Sequence, residues 1–155
     1  MQSHNQKNNQ LYLLFYLDQI PLALPIERVE GALLLPEIQI LPEAKDMVVG
    51  FFEYLGATKI VIDLRPLFQM EPCEFHPSQS LVLLSSPYDD LALWVDQVSS
   101  VVKGTLEDQK SLEAFVPKDS ILPKVLKTDA GLIYLPHLEH LKNKLDLDEF
   151  SIESN

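Results

Sequence analysis

Two short sequence blocks that share one pattern constrain the fold of this chain more than any other feature. The first is Val61-Ile62-Asp63-Leu64-Arg65, and the second is Leu93-Trp94-Val95-Asp96-Gln97-Val98. In each block a run of apolar residues, typical of a buried β-strand, carries a single aspartate near its end. Such a carboxylate can serve as a catalytic base, but no nucleophile or second catalytic group accompanies either aspartate in the sequence. The repeated pattern therefore predicts two related β units and a protein that is not an enzyme.

The size and composition fit one soluble globular domain. The chain has 155 residues, of which 46% are hydrophobic, and a chain of this size can bury a core without metal or disulfide crosslinks. No window approaches the roughly 18 consecutive apolar residues of a membrane-spanning helix, and the polar N-terminus lacks the basic region of a secretory signal. Cys73 is the only cysteine, which excludes an internal disulfide and is typical of a reducing compartment. We therefore predict a cytoplasmic protein without direct membrane insertion.

The charge balance argues against nucleic acid as a partner. The formal net charge is −11, and the acidic residues are spread along the chain rather than gathered in one block. A surface of this sign repels phosphate backbones and anionic lipid headgroups.

The apolar runs predict a mainly β chain that closes with a helix. Leu11–Leu17 and Pro21–Ile26 are typical of a hairpin, and the prolines of its second strand, which lack an amide donor, predict an edge or irregular position for that strand. Leucines at helical spacing predict the closing helix over Pro136–Leu145. A helical turn is predicted at Arg65–Met70, and further strands are predicted at Met47–Leu55, Thr58–Leu64, Leu81–Leu84, Leu91–Val95, Val98–Val102 and Leu132–Leu135.

The same patterns divide the chain into three segments. Residues 1–10 are polar and rich in Asn and Gln, which predicts a disordered N-terminal arm. Residues 11–145 hold the predicted strands and the closing helix, and form a single domain of two β subdomains. Residues 146–155 are predicted to form an acidic C-terminal tail.

The order of these elements resembles the CheW-like family of chemotaxis coupling proteins over residues 11–145. In the first half the matching pieces are Leu13-Leu14-Phe15, Pro25-Ile26-Glu27-Arg28-Val29, Gly50, the Gly56 turn and Val61-Ile62-Asp63-Leu64-Arg65. In the second half they are Val95-Asp96-Gln97-Val98-Ser99, the Asp129–Leu135 hairpin and Leu138-Glu139-His140-Leu141. The order and spacing of the pieces, rather than any single one, carry the resemblance.

The resemblance implies a mainly β, CheW-like fold of two intertwined five-stranded β-barrels with short helices and a C-terminal helix. It also implies a non-catalytic adaptor, without cofactor or metal, that couples a CheA-like histidine kinase to chemoreceptors. The expected partners are the regulatory domain of the kinase and the cytoplasmic tip of the receptor. Strand edges and grooves suit the recognition of extended segments and helices.

The sequence departs from the family at the turn that precedes the Val61 block. Where the family usually has Asn-Leu-Arg-Gly, this chain has Glu53-Tyr54-Leu55-Gly56, so the turn glycine is kept and the arginine is lost. Arginine supplies a fixed charge and a fork of donors, and leucine supplies neither. The family's receptor-facing groove includes this position. The alternative function is therefore a divergent interaction module of a pilus-motility or surface-sensing pathway, which binds the kinase or another CheW-like domain but not a standard receptor.

By the resemblance, two segments are expected to carry partner binding. The run Leu33-Leu34-Leu35 is more apolar than the outer face of a barrel strand usually is, which predicts an exposed interface patch; the same leucines could instead fill a barrel core. The first-choice residues are Val29, Ala32, Leu33 and Leu34, and the second-choice residues are Leu55, Gly56, Ala57 and Val98.

Two other residue groups leave chemical alternatives open. His137 and His140 could be half of a metal site, or two surface histidines on an amphipathic helix. Asp63 and Asp96 could form a carboxylate pair for acid–base chemistry. Alternatively, each aspartate bonds backbone amides or a nearby cation, with Arg65 as the candidate partner of Asp63.

Overall fold

The computed structural model describes residues 10–44, 46–106, 115–129 and 131–153, with side chains undescribed at residues 106 and 146–153. The predicted N-terminal arm, apart from Gln10, lies outside the described residues. The strands are β1 (Gln10–Leu17), β2 (Ile20–Pro25), β3 (Val29–Leu34), β4 (Gln39–Ile40), β5 (Val48–Tyr54), β6 (Ala57–Asp63), β7 (Ser80–Leu84), β8 (Leu91–Val95), β9 (Gln97–Leu106), β10 (Lys124–Thr128) and β11 (Gly131–Leu135). Short 3-10 helices span Ile26–Arg28 and Arg65–Phe68, and helix α1 spans Leu138–Glu153.

The predicted mainly β fold with a C-terminal helix is confirmed, although the helix is longer than predicted. It begins at Leu138 rather than Pro136 and continues to Glu153, through most of the segment predicted as an acidic tail. Residues 146–153 contain neither Gly nor Pro, so nothing in the local sequence stops the helix at Leu145. None of the helices described is long and apolar enough to cross a membrane.

Of the residues that the structure describes, the first of two compact units contains 10–14, 20–26, 100–106, 115–129 and 131–153. Its strands form a closed barrel in the order β1-β2-β11-β10-β9, and β11 runs parallel to β2, with Tyr134 opposite Leu22. Strand β2 therefore has a neighbour on each side, and the edge position predicted for it is wrong. Pro21 and Pro25 stand near its start and at its last residue, where missing amide donors disturb the ladder least.

The second compact unit contains residues 15–19 and 27–99. It holds a six-stranded sheet in the order β3-β7-β8-β6-β5-β4, in which β6 runs parallel to β8. The resemblance implied a five-stranded barrel here as well, whereas the two-residue strand β4 adds a sixth strand by pairing with β5. Each unit is assembled from separated chain segments, as expected for an intertwined fold.

The core of the second unit lies on its central strands. Strand β8 is buried along its whole length, and β7 is buried from Leu81 to Leu84, which is why both strands read as continuous apolar runs rather than alternating ones. The cluster at their centre comprises Phe52, Val61, Leu81, Leu83, Ala92 and Trp94.

The close approach of β4 to β5 depends on a glycine. A Cβ atom at Gly50 would lie 2.1 Å from the backbone oxygen of Gln39, whereas one at Gly31 in β3 would meet nothing within 4 Å. We expect Gly50→Ala to lower the free energy of unfolding by about 1–3 kcal/mol, because strain of this kind costs that much in packed regions. Urea unfolding measures the loss. The matched variant Gly31→Ala should keep or slightly raise stability, and equal losses in both variants would contradict the role given to Gly50.

Candidate partner-binding surface

Strand β3 divides the leucine run between the core and the surface. Leu33 and Leu35 are half-buried and pack against the core cluster, whereas Leu34 is 71% exposed. The reason is the strand geometry, which points successive side chains to opposite faces. The run is therefore divided between core and surface, and Leu34 is its exposed member.

The Leu55–Gly56 turn presents a second exposed leucine in an unfavourable backbone conformation. Tyr54 pairs with Ala57, which leaves a two-residue hairpin loop in which Leu55 has φ 51° and Gly56 has φ 84°. Loops with two positive φ angles favour Asn-Gly, and a leucine in the left-handed region costs roughly 1–2 kcal/mol. The Leu55 side chain is 88% exposed, so intramolecular packing offsets little of this cost.

The two leucines lie at opposite ends of the sheet. Leu34 is level with Ser80 and Val95, at the end where β6 finishes. The Leu55–Gly56 turn precedes β6 and is therefore at its start. The length of β6 separates the two levels by roughly 20 Å at the usual rise of a strand.

Of the remaining predicted residues, Ala32 and Ala57 lie beside a patch, whereas Val29 and Val98 do not. Ala32 is exposed on β3, and Ala57 is exposed beside the turn. Val29 is half-buried and pairs with Leu84, between the two ends of the sheet. Val98 is half-buried on β9. It belongs to neither patch, because Leu34 lies on β3 and the Leu55–Gly56 turn joins β5 to β6.

An apolar groove beside β4 was missed by sequence reasoning. Ile40 is 54% exposed and borders a groove of about 310 Å3. The lining residues are Ile40, Val49, Cys73, Glu74, Phe75 and Trp94. The sequence feature that could have predicted this groove is the stretch Ile38–Leu41, which lies between two prolines and is mostly apolar. A strand this short points only some of its side chains inward, so part of its apolar surface must face outward.

The two candidate catalytic carboxylates bind one buried arginine. Arg65 is 2% exposed; its Nη1 donates to Asp63 Oδ1 at 3.0 Å and its Nη2 to Asp96 Oδ1 at 2.7 Å. The Arg65 backbone N–H also donates to Asp63 Oδ1 at 2.9 Å. The 3-10 helix that starts at Arg65, with Pro66 in its first turn, directs this side chain back towards the ends of β6 and β8.

Polar and aromatic groups complete this arrangement. Gln79 Nε2 donates to Asp96 Oδ1 at 2.9 Å, and Trp94 Nε1 donates to Gln79 Oε1 at 2.9 Å. The Arg65 guanidinium lies over the Trp94 ring, with Cζ 4.2 Å from the ring centroid, and the backbone N–H of Asp18 donates to Asp96 Oδ2. We refer to Arg65, Asp63, Asp96, Gln79 and Trp94 as the Arg65 network.

The electrostatics of Asp96 favour the ionised form of its carboxylate. Partial burial acts to raise its pKa, but the hydrogen bonds from Gln79 and the Asp18 amide and the charge of Arg65 outweigh burial and hold the pKa below its ordinary value. A general base near neutral pH usually has a raised pKa. The geometry thus supports the structural interpretation, in which each aspartate is held by amide or cation donors, over the acid–base interpretation.

The two histidines at the start of α1 stack on each other. Their ring centroids are 3.7 Å apart with an interplanar angle of 20°, and within the described parts of the chain no group of three potential metal ligands forms. Their ring nitrogens instead bond the backbone: His140 N–H donates to His137 Nδ1 at 3.1 Å, and His140 Nδ1 lies 2.8 Å from the Ser120 carbonyl oxygen.

The described residues form a mainly β protein of two sheet-based units with exposed apolar residues at strand ends. The CheW-like domain family model matches residues 11–145, and the chain belongs to this family. A comparison with curated proteins finds no matching relative.

A solved structure shares the fold. The scaffolding protein TtCheW from Thermoanaerobacter tengcongensis superposes with a TM-score of 0.68 at 21% sequence identity, over 83% of this chain and 89% of that one. The mainly β, CheW-like fold class that the resemblance implied is confirmed by the family match and by this structure.

Removal of the central cation should destabilise the second unit. We expect Arg65→Met to lower the free energy of unfolding by about 2–4 kcal/mol, because it leaves two partly buried carboxylates without their shared cation. Urea unfolding of the full chain measures the loss. Arg28 provides the matched control, since its exposed guanidinium lies 5.9 Å from the Tyr88 ring centroid and Arg28→Met should cost less than about 1 kcal/mol. Similar losses in the two variants would show that the Arg65 network is not a main source of stability.

Proposed function

We propose that this chain is a cytoplasmic, non-catalytic scaffold of a bacterial chemotaxis-type signalling system, which couples a CheA-like histidine kinase to chemoreceptors. Membership of the CheW-like family over residues 11–145 is the observation that carries the proposal. TtCheW, which shares the fold, is described as a scaffolding protein. Residues 11–145 act as one binding domain, and the role requires neither cofactor nor nucleic acid.

The surface chemistry is suited to protein binding. Leu34 is exposed on β3, an outer strand of the sheet, and an outer strand offers backbone groups and alternate side chains for an added segment. An exposed apolar residue at such an edge is a typical interface anchor. We assign the Leu34 patch, with Ala32 and half-buried Leu33, to the regulatory domain of the kinase.

The turn end of the sheet is assigned to the receptor side of the scaffold. Leu55, Gly56 and Ala57 form this patch, and its separation from Leu34 along β6 allows two partners to bind one sheet at the same time. Leu55 occupies a costly backbone conformation while its side chain faces solvent. Strain without an intramolecular benefit is typical of a residue kept for contact with a partner.

A second function is favoured by the chemistry of the same turn. Leucine replaces the charged, multidentate arginine usual in the family, so a polar receptor surface would lose its donors. Under this alternative the chain is a divergent CheW-like interaction module of a pilus-motility or surface-sensing pathway. It then binds the kinase or another CheW-like domain, and an apolar partner surface replaces the standard receptor at the turn.

A charge at Leu34 should disrupt kinase binding and leave the fold intact. We expect Leu34→Asp to weaken binding to the kinase regulatory domain about 30-fold or more, because loss of a central apolar anchor costs about 2 kcal/mol. Calorimetry measures the affinity, and the melting temperature should be nearly unchanged because Leu34 is mostly exposed.

The matched control for this experiment is Leu132→Asp. Leu132 is 61% exposed on β11 of the first unit, so the same substitution there should leave kinase binding unchanged. Equal weakening by both variants would indicate a nonspecific effect of charge. Absence of wild-type binding to any kinase regulatory domain of the same cell would overturn the coupling function.

Substitution of Leu55 should separate stability from binding. We expect Leu55→Asn to raise the free energy of unfolding by about 1 kcal/mol, since Asn tolerates the left-handed region better than leucine. Leu132→Asn, on a strand, should give no such gain. Urea unfolding gives the stability, and a gain for Leu132→Asn as large as that for Leu55→Asn would contradict the explanation.

Binding of a receptor-tip fragment to the wild type, Leu55→Asn and Leu55→Arg distinguishes the two functions. Wild-type binding that is lost in Leu55→Asn supports coupling to a receptor through this turn. Wild-type binding too weak to measure, which Leu55→Arg restores, supports the alternative module.

A further inference from the structure

The start of helix α1 is tied to the preceding segment through two imidazole rings and one backbone bond. The His137 backbone N–H donates to the Ile121 carbonyl at 2.7 Å, and the His140 ring bonds the Ser120 carbonyl. The His137 ring in turn accepts the His140 backbone N–H. In this way His137 acts as the N-cap of α1, with a ring nitrogen in place of the oxygen that Ser, Thr, Asp or Asn usually supplies.

These contacts indicate which ring nitrogen of each histidine carries a proton. A nitrogen that accepts an amide N–H carries no proton, so neutral His137 holds its proton on Nε2. A carbonyl oxygen can only accept, so His140 holds its proton on Nδ1. A proton added to His137 would occupy Nδ1, which removes the acceptor of the cap and places a cation in a ring stack only 3.7 Å between centroids.

On balance, the surroundings of His137 lower its pKa and so favour the neutral ring. Burial is the largest cause that lowers the pKa of His137, followed by the His140 ring, stacked on it from α1, and Lys124 of β10. Glu139 of α1 and the His137 backbone bond act against them and are weaker. The segment at residues 120–121 offers carbonyl oxygens to this cluster.

We propose that His137 and His140 form an acid-sensitive latch, which holds the first turn of α1 against residues 120–121 when His137 is neutral and releases it when His137 is protonated. The proposal concerns the first unit and does not depend on which partner the protein binds. The first turn carries buried Leu138 and Leu141, so release exposes apolar side chains as well as the unpaired amides of the helix start.

The direction of the pH effect follows from the lowered pKa. The unfolded segment takes up a proton near the ordinary histidine value of 6.5, whereas the latched state takes it up only at lower pH. The stability contributed by the latch is therefore fully present above about pH 6.5 and decreases as the pH falls through the folded-state pKa.

Hydrogen exchange of the full chain tests the latch. Mass spectrometry at several pH values, corrected for the intrinsic exchange rates, reports the protection of the amides at residues 139–141. We expect protection in the wild type to fall severalfold between about pH 7.5 and pH 5.5, because the unfolded segment binds a proton more readily than the latched state does. His137→Asn should remove this pH dependence while preserving the fold, because Asn caps a helix without titrating.

The control variant is His76→Asn. The His76 side chain is exposed in the second unit and bonds Ser78, so this variant should keep the wild-type pH dependence in α1. Unchanged pH dependence in His137→Asn, or no pH dependence in the wild type, would overturn the proposal. A proton NMR titration of the wild type gives an independent test: a His137 midpoint below the ordinary value of 6.5 supports the latch, and a midpoint at or above 6.5 refutes it.

Discussion

The second unit depends on one buried cation shared by two strand ends. Arg65 would be costly to bury alone, because its charge loses its hydration. Asp63 and Asp96 supply the compensating charge, and the Trp94 ring covers the face of the guanidinium. Since β6 and β8 are parallel neighbours with Asp63 opposite Trp94, the two aspartates reach the cation from adjacent strands. The shared cation therefore links these two strands at one end of the apolar core.

The same network positions the surface that we assign to the kinase. Gln79, which bonds both Asp96 and Trp94, also accepts the backbone N–H of Leu35 at its own carbonyl. The end of β3 is thus tied to the network one residue beyond Leu34. An exposed leucine at this position is held by a rigid framework, and a preorganised anchor loses little entropy when a partner binds.

The two units anchor their polar groups by different physical means. In the second unit a buried guanidinium, that of Arg65, pairs with the partly exposed carboxylates of Asp63 and Asp96, and the lowered pKa of Asp96 favours its ionised form. In the first unit the His137 ring accepts the His140 backbone N–H, and this acceptor role ends once Nδ1 of His137 is protonated. The bond at the helix start therefore requires a neutral His137, whereas the bonds of Asp96 require an ionised carboxylate.

The sequence by itself determined the fold class, because apolar periodicity and turn residues are local signals. The buried strands at Leu81–Leu84 and Leu91–Val95, the Gly56 turn and the pairing of Asp63 with Arg65 were all readable from short stretches. Only the tertiary structure decided that Asp96 shares the same arginine, that β2 closes a barrel despite Pro21 and Pro25, and that Leu34 rather than Leu33 faces outward. Strand register and long-range contacts set these features, and local sequence does not encode which distant strand end will meet a given side chain.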